Sequence, residues 1–206
     1  MTCSRCGLDA PRGARFCPHC GVSLAANPRP GNGGGIEPIL GAIARTAARL
    51  CDGRDAQIFL AEGTTLRLVA HHGPIGTTRT LGEPFSLGPG TVHGRAVLEG
   101  HVIHVRDLKA ALRTQYPELS ERQRATRVRT MLAAPLLSDG AAIGVITVRR
   151  TRVRPFTAKQ IALLETFAAQ AAVTLEKARL AEELADRNSA SRRPSTTRRR
   201  RAKSWA

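Results

Sequence analysis

Apolar residues recur along the chain with two different periods, and each change of period marks an element boundary. In "IEPILGAIARTAARLC", Ile36, Ile39, Leu40, Ile43, Ala47 and Leu50 fall at intervals of three and four, which predicts an amphipathic first helix. The runs "AQIFLAE" and "TLRLVAHH", joined by "GTT", predict a β-hairpin. After a Gly/Pro-rich stretch, "GTVHGRAVLEG" reads as a short helix with Val92, Ala96 and Val97 inward, and "HVIHV" as a strand. Residues 107–128 are polar and poorly patterned, a long connection of the sort that often covers a pocket. "RTMLAAPLL", the turn "SDG" and "AAIGVITVRR" predict a second hairpin. The last element is a helix over 157–186, opened by a capping box in which Gln160 follows Thr157 by three residues. Within it Ile161, Leu164, Ala168, Ala171, Leu175 and Ala178 alternate spacings of three and four, the seam of a coiled coil. Ile161 and Leu164 are expected to pack on the chain's own sheet. Beyond Ala171 the helix is expected to outrun the domain and pair with a second copy. The whole reads as an α+β fold.

Composition divides the 206 residues into segments. A Cys-rich head spans 1–24, a linker "AANPRPGNGGG" spans 25–35, the patterned body spans 36–188, and a basic tail spans 189–206. The linker has almost nothing to bury and should be flexible, and the tail should be disordered. The net charge of +16 is uneven: residues 1–35 carry +3, residues 36–186 carry +5, and residues 187–206, with eight basic and no acidic groups, carry +8. Charge of this kind informs about partners and not about fold. The longest apolar runs, "MLAAPLL" and "AAIGVITV", fall far short of the ~20 residues that cross a bilayer, and "MTCSRCG" lacks the apolar core of a signal peptide. The expectation is a cytoplasmic protein with no membrane span.

Four of the five cysteines lie in the head, as Cys3-Ser-Arg-Cys6-Gly and Cys17-Pro-His-Cys20-Gly. A tight turn within each C-x2-C pair lets both thiolates reach one ion at ~2.3 Å, and the following glycine accommodates the positive φ such a turn demands. Cys3, Cys6, Cys17 and Cys20 together would close a tetrahedral shell around Zn2+, leaving no position for substrate, so the site would be structural. Disulfides or a redox pair are the alternative, disfavoured in a reducing compartment. The pattern C-x2-C-G, then F-C-x2-C-G with Phe16 and Gly21, resembles the short zinc ribbons. Such ribbons contact nucleic acid, contact protein or act as plain caps, so the metal does not name a partner.

The ordered set Asp55-Ala56, "LRLVAHHG", "GTVHGRAVLEG", "HVRDL", "APLL", "IGVITV" and "RPFTAKQIALLETFAAQAA" resembles a GAF domain over essentially all of residues 36–188. The likeness is nearest to those placed upstream of sensor histidine kinases and class III nucleotide cyclases. It implies a central antiparallel sheet of about six strands, helices on one face packing the N- and C-terminal segments together, and a ligand cavity on the other face. GAF domains bind cyclic nucleotides, bilins, haem or small metabolites, and each use needs particular residues. The body's only cysteine, Cys51, ends the first helix on the side away from the cavity, where a bilin could not reach it. One cysteine cannot run the disulfide cycle of GAF-type methionine sulfoxide reductases. Haem needs a proximal histidine in an apolar pocket. His71, His72, His93, His101 and His104 are available, but His71-His72-Gly-Pro reads as turn chemistry at a strand end. Arg95 and Asp107 flank the cavity in the family layout and could meet a polar ligand, with helix capping or a surface role as the alternative. No nucleophile–base pairing or glycine-rich phosphate loop is present, so catalysis is not expected and no catalytic residue is assigned.

These readings give a sensory, non-catalytic module that binds an unidentified small molecule and dimerises through its terminal helices, with a histidine kinase or cyclase as signalling partner. It would be part or a truncated remnant of a longer signalling protein. Back-translation of Ser191–Trp205 in a neighbouring frame can give "LTEALDHQTATGEVL", similar to the linker that follows such domains, so the tail is expected to be a frameshift product. The alternative is a nucleic-acid-binding protein using ribbon and tail. The tail alone would give weak, salt-sensitive affinity for phosphates. Against the alternative, the chain is 3% aromatic, which leaves little for base stacking.

Overall fold

The two sequence periods resolve into one sheet covered on both sides. The computed structural model describes residues 36–53, 55–116, 119 and 126–191. Helix α1 (Glu37–Leu50) leads into β1 (Asp55–Glu62), β2 (Thr65–His72) and β3 (Pro84–Ser86). Then come α2 (Val92–Glu99), β4 (Ile103–Val105), α3 (Leu108–Thr114), β5 (Thr130–Ser138), β6 (Ala141–Arg150) and α4 (Ala158–Ser191). The strands form a six-stranded sheet in the order β3-β2-β1-β6-β5-β4, antiparallel at every pairing. Both hairpin turns sit where the sequence places them. Asp139 and Gly140 turn the second with φ of 50° and 80°, the left-handed pair that matches strand twist in a two-residue loop.

Side chains alternate between faces, so β1, β6 and β5 each supply two cores. Ala56, Ile58, Leu132, Ala134, Ile146 and Val148 meet the apolar stripes of α1 and α4 on one face. Phe59, Met131, Ala133 and Val145 meet α2 and α3 on the other. Gly144 is fixed by a close approach, since a Cβ there would collide with the Phe59 carbonyl.

The capping box is formed: the Thr157 N–H donates to Gln160 Oε1 at 3.1 Å and the Gln160 N–H to Thr157 Oγ1 at 3.2 Å. Arg150 holds this corner to the end of α1. Its Nη2 donates to the Cys51 carbonyl at 2.6 Å and its Nη1 to the Arg154 carbonyl at 2.6 Å, with the guanidinium 3.9 Å over the Phe156 ring.

Four differences from the sequence expectations have physical causes. The α4 seam is consumed by the chain itself further than Ala171, because Ala172 and Leu175 are also enclosed between sheet and α1. The helix runs to Ser191 and not to 186, through Ala, Leu and Glu without Gly or Pro before Pro194. The connection over 107–128 contains α3, nucleated by Asp107, whose carboxylate accepts from the Lys109 N–H at 3.1 Å. The Gly/Pro-rich stretch holds β3, too short at three residues for alternation to register. The head with Cys3, Cys6, Cys17 and Cys20, the linker 25–35 and the chain beyond Ser191 lie outside the described residues.

Candidate functional site

A register shift decides which polar side chains meet. In β1–β2, Ile58 pairs with Ala70 and Phe59 with Leu68, leaving Val69 as an extra residue. Before this β-bulge the even-numbered Leu66 and Leu68 face α2, and after it the odd-numbered His71 does. His71 thereby joins Asp55 and Arg149, which are cross-strand partners on β1 and β6.

Asp55 is wholly buried and Arg149 nearly so. Arg149 Nε donates to Asp55 Oδ1 at 2.7 Å, His71 Nε2 lies 2.9 Å from Asp55 Oδ2, and the Ile75 N–H donates to the same oxygen at 2.9 Å. The remaining Arg149 donors reach the Ile75 carbonyl at 3.0 Å and the Gly76 carbonyl at 3.2 Å. Burial pulls the Arg149 guanidinium below its ordinary range and the adjacent Asp55 opposes that pull. The cluster pins the β2–β3 loop over the end of the sheet.

Beside this satisfied cluster lies an unsatisfied layer. His93, on α2, stacks on Phe59 with centroids 4.6 Å apart and meets the edge of Phe85 at 5.7 Å. Its Nδ1, the Tyr116 hydroxyl and the Thr147 hydroxyl are buried without a hydrogen-bond partner among the described residues. Burial, reinforced by the charges of Arg79 and Arg149, holds the His93 imidazole down at about 3, so it is neutral. The Arg95 guanidinium lies close enough to Tyr116 to feel its hydroxyl without reaching hydrogen-bond geometry. Native proteins pair nearly all such buried groups, so three orphans in one layer call for a partner.

Open space lies at the adjoining end of the sheet. A groove of about 1000 Å³ runs between the α1–β1 turn, the β2–β3 loop and the β6–α4 connection, bounded by Gly53, Gly76 and Thr151 among others. Arg149 and Ile75 belong both to this groove and to the wall of the polar layer.

With this geometry in place, comparison with known proteins is decisive at the level of family. The family model described as GAF domain matches residues 35–175. The chain belongs to the GAF domain family. Comparison with curated protein sequences returns no match. Among solved structures, the GAF domain of a phosphoenolpyruvate-protein phosphotransferase (ptsP) from Coxiella burnetii is 17% identical with a TM-score of 0.60, covering 72% of this chain and 87% of that one. The GAF-B domain of DevS from Mycobacterium smegmatis is 21% identical with a TM-score of 0.55, covering 71% and 97%. Free methionine-R-sulfoxide reductase from Neisseria meningitidis, in complex with its substrate, is 22% identical with a TM-score of 0.57, covering 70% and 80%. These likenesses establish the fold.

Within this GAF domain the residues singled out from the sequence are dispersed. Cys51 is buried in the α1–α4 core, across the sheet from the polar layer, and burial pushes its thiol up to about 11. Asp107 caps α3 and pairs with Arg129 at 2.8 Å, while Arg95 pairs with Glu99 on its own helix. His104 accepts from the Phe156 N–H at 3.1 Å on the helix-covered face, and His101 is exposed beside Glu99. His71 is not a turn residue but a member of the buried ion-pair cluster, because the bulge at Val69 rotates it inward. Sequence reading missed Thr147, Tyr116 and Arg149. Thr147 and Arg149 sit at alternate positions of β6 among apolar neighbours, and that alternation is the signal available. Among the described residues no group of three or more His, Cys, Asp or Glu could hold a metal ion, and no helix is long and apolar enough to cross a membrane.

Proposed function

We propose that this GAF domain is a non-catalytic sensory module that takes a small polar ligand into the layer between the sheet and its α2–α3 cover. The observation that carries the reading is the trio of orphaned groups, His93 Nδ1, Tyr116 Oη and Thr147 Oγ1, supplied by three separate parts of the chain. Apolar surroundings with a few placed polar groups are the usual make-up of a ligand site, and these three lie on the same side of the sheet. A neutral imidazole and two hydroxyls suit a hydrogen-bonding ligand, beside Phe59, which stacks on His93, and Phe85, which lies under Arg79. Against catalysis stands the one thiol of the body, buried on the wrong face and protonated. The reductase relative shows that a GAF fold can host an enzyme, so this is a statement about these side chains and not about the fold.

The ligand's route to output is α4, which dimerises with a second copy beyond the length covered by its own domain. In this reading the module serves a signalling protein of the histidine kinase or cyclase type. Cys3, Cys6, Cys17 and Cys20 hold a structural Zn2+ ahead of it. The positive charge beyond residue 186 supplies weak, non-specific affinity for nucleic acid.

The test is isosteric. Thr147→Val removes an unpartnered hydroxyl, so in protein stripped of small molecules urea unfolding should show a gain of about 1–2 kcal/mol. A loss of stability of the same size would mean the hydroxyl is already satisfied, and the ligand reading would fall with it.

A further inference from the structure

We propose that the groove at the end of the sheet is a separate site for a small molecule bearing a di- or triphosphate. Five arginines border it, Arg127, Arg149, Arg150, Arg152 and Arg154. Among the described lining residues only Asp52 is acidic, and Asp55 behind the wall neutralises Arg149. Among the described residues, five cations thus stand against two carboxylates. Arg150 is the most telling of these. It is 8% exposed and its Nη atoms meet only uncharged oxygens: the Cys51, Arg154 and Pro155 carbonyls and Gln160 Oε1. Its Nε–H is buried with no partner among the described residues. Stacking on Phe156 and the nearby Asp52 offset part of the cost of burying this cation, and an anion in the groove would offset more.

Arg127 and Arg152 are exposed and form no ion pair among the described residues. Arg127 is held at φ 56°, in a left-handed conformation uncommon for a residue with a Cβ. Arg154 is occupied by Asp52 at 2.6 Å, but both side chains are about two-thirds exposed, so an incoming anion can displace that carboxylate. Thr77 and Thr151 belong to the same wall, where a hydroxyl would serve as a neutral donor. Guanidinium forks and hydroxyls together suit phosphate oxygens.

Shape and lining favour a small molecule over a nucleic acid. The arginines border a concave space whose volume matches the upper range of small-ligand pockets, and no lining residue among those described is aromatic to stack a base. The recognised part is the phosphate chain itself.

The experiment uses the full chain, so that every variant carries the same basic tail, and titrates inorganic tripolyphosphate, ATP and a short DNA duplex by calorimetry. Arg127→Gln with Arg152→Gln should weaken tripolyphosphate binding roughly tenfold or more. Asp52→Asn should strengthen it about threefold, a gain that misfolding cannot produce. Arg45→Gln, on the exposed face of α1, should leave it unchanged. Tighter binding of ATP than of tripolyphosphate would identify a nucleotide and equal binding an inorganic polyphosphate, and either supports the site. Equal tripolyphosphate affinity in the wild type and the double variant would assign the binding to the tail and overturn the proposal. So would a duplex that loses more affinity than tripolyphosphate in that double variant.

Discussion

Asp55 and Arg149 are satisfied by each other, by His71 and by backbone groups of the β2–β3 loop, so the pair acts as a fixed wall between polar layer and groove. Removing one partner strands the other charge in the interior. Asp55→Ala should therefore lower stability by about 3–5 kcal/mol in urea unfolding, and adding Arg149→Met should restore much of it. His93 makes a second prediction at this scale, with a sign set by its burial. Its folded value of about 3 lies below the ordinary 6.5, so the unfolded chain takes up a proton that the folded chain refuses. Its contribution is fully present above pH 6.5 and is lost as pH falls from there towards 3, at up to about 1.4 kcal/mol per pH unit. Between pH 6.5 and about 5, above the range in which the lowered carboxylates Glu62 and Asp107 lose their contributions, His93→Phe should lose stability less steeply than the parent.

At the scale of elements, α4 shows what periodicity can and cannot say. The three-and-four spacing from Ile161 to Ala178 located the buried stripe, but spacing is blind to whether a sheet, α1 or another copy lies opposite. The structure gives the stripe through Leu175 to the domain and leaves Val173, Leu180 and Leu184 at 52%, 48% and 59% exposed. If these form the dimer seam, Leu180→Glu with Leu184→Glu should raise the dimer dissociation constant at least about thirtyfold by sedimentation, with an unchanged unfolding midpoint for the monomer. The long helices and the two hairpins were legible because each repeats its period several times. β3 and α3 were not, since three and seven residues are too few to show a period, although Asp107 before "LKAAL" offered a capping signal. The orphaned layer was illegible for a different reason. Thr147 is a hydroxyl in an apolar strand and Tyr116 a lone aromatic in a polar stretch, and only tertiary packing shows that both are sealed from water without a partner.

For the whole molecule, the sheet separates two tasks. One face buries α1 and α4, which fixes the chain's entry and exit together, and the other encloses a neutral polar layer under α2 and α3. The adjacent residues Arg149 and Arg150 point to opposite faces, one holding the loop over that layer and the other the start of α4. A ligand that moved the β2–β3 loop would thus act one residue away from the arginine that holds the start of α4. The central claim is that the layer is a binding site. Native mass spectrometry of the gently purified full chain tests it most directly, beside the double variant Thr147→Val, His93→Phe. The account predicts a small-molecule adduct on the wild type that is absent from an equally well folded variant. A wild type that flies without any adduct, or an adduct retained undiminished by the variant, would contradict it.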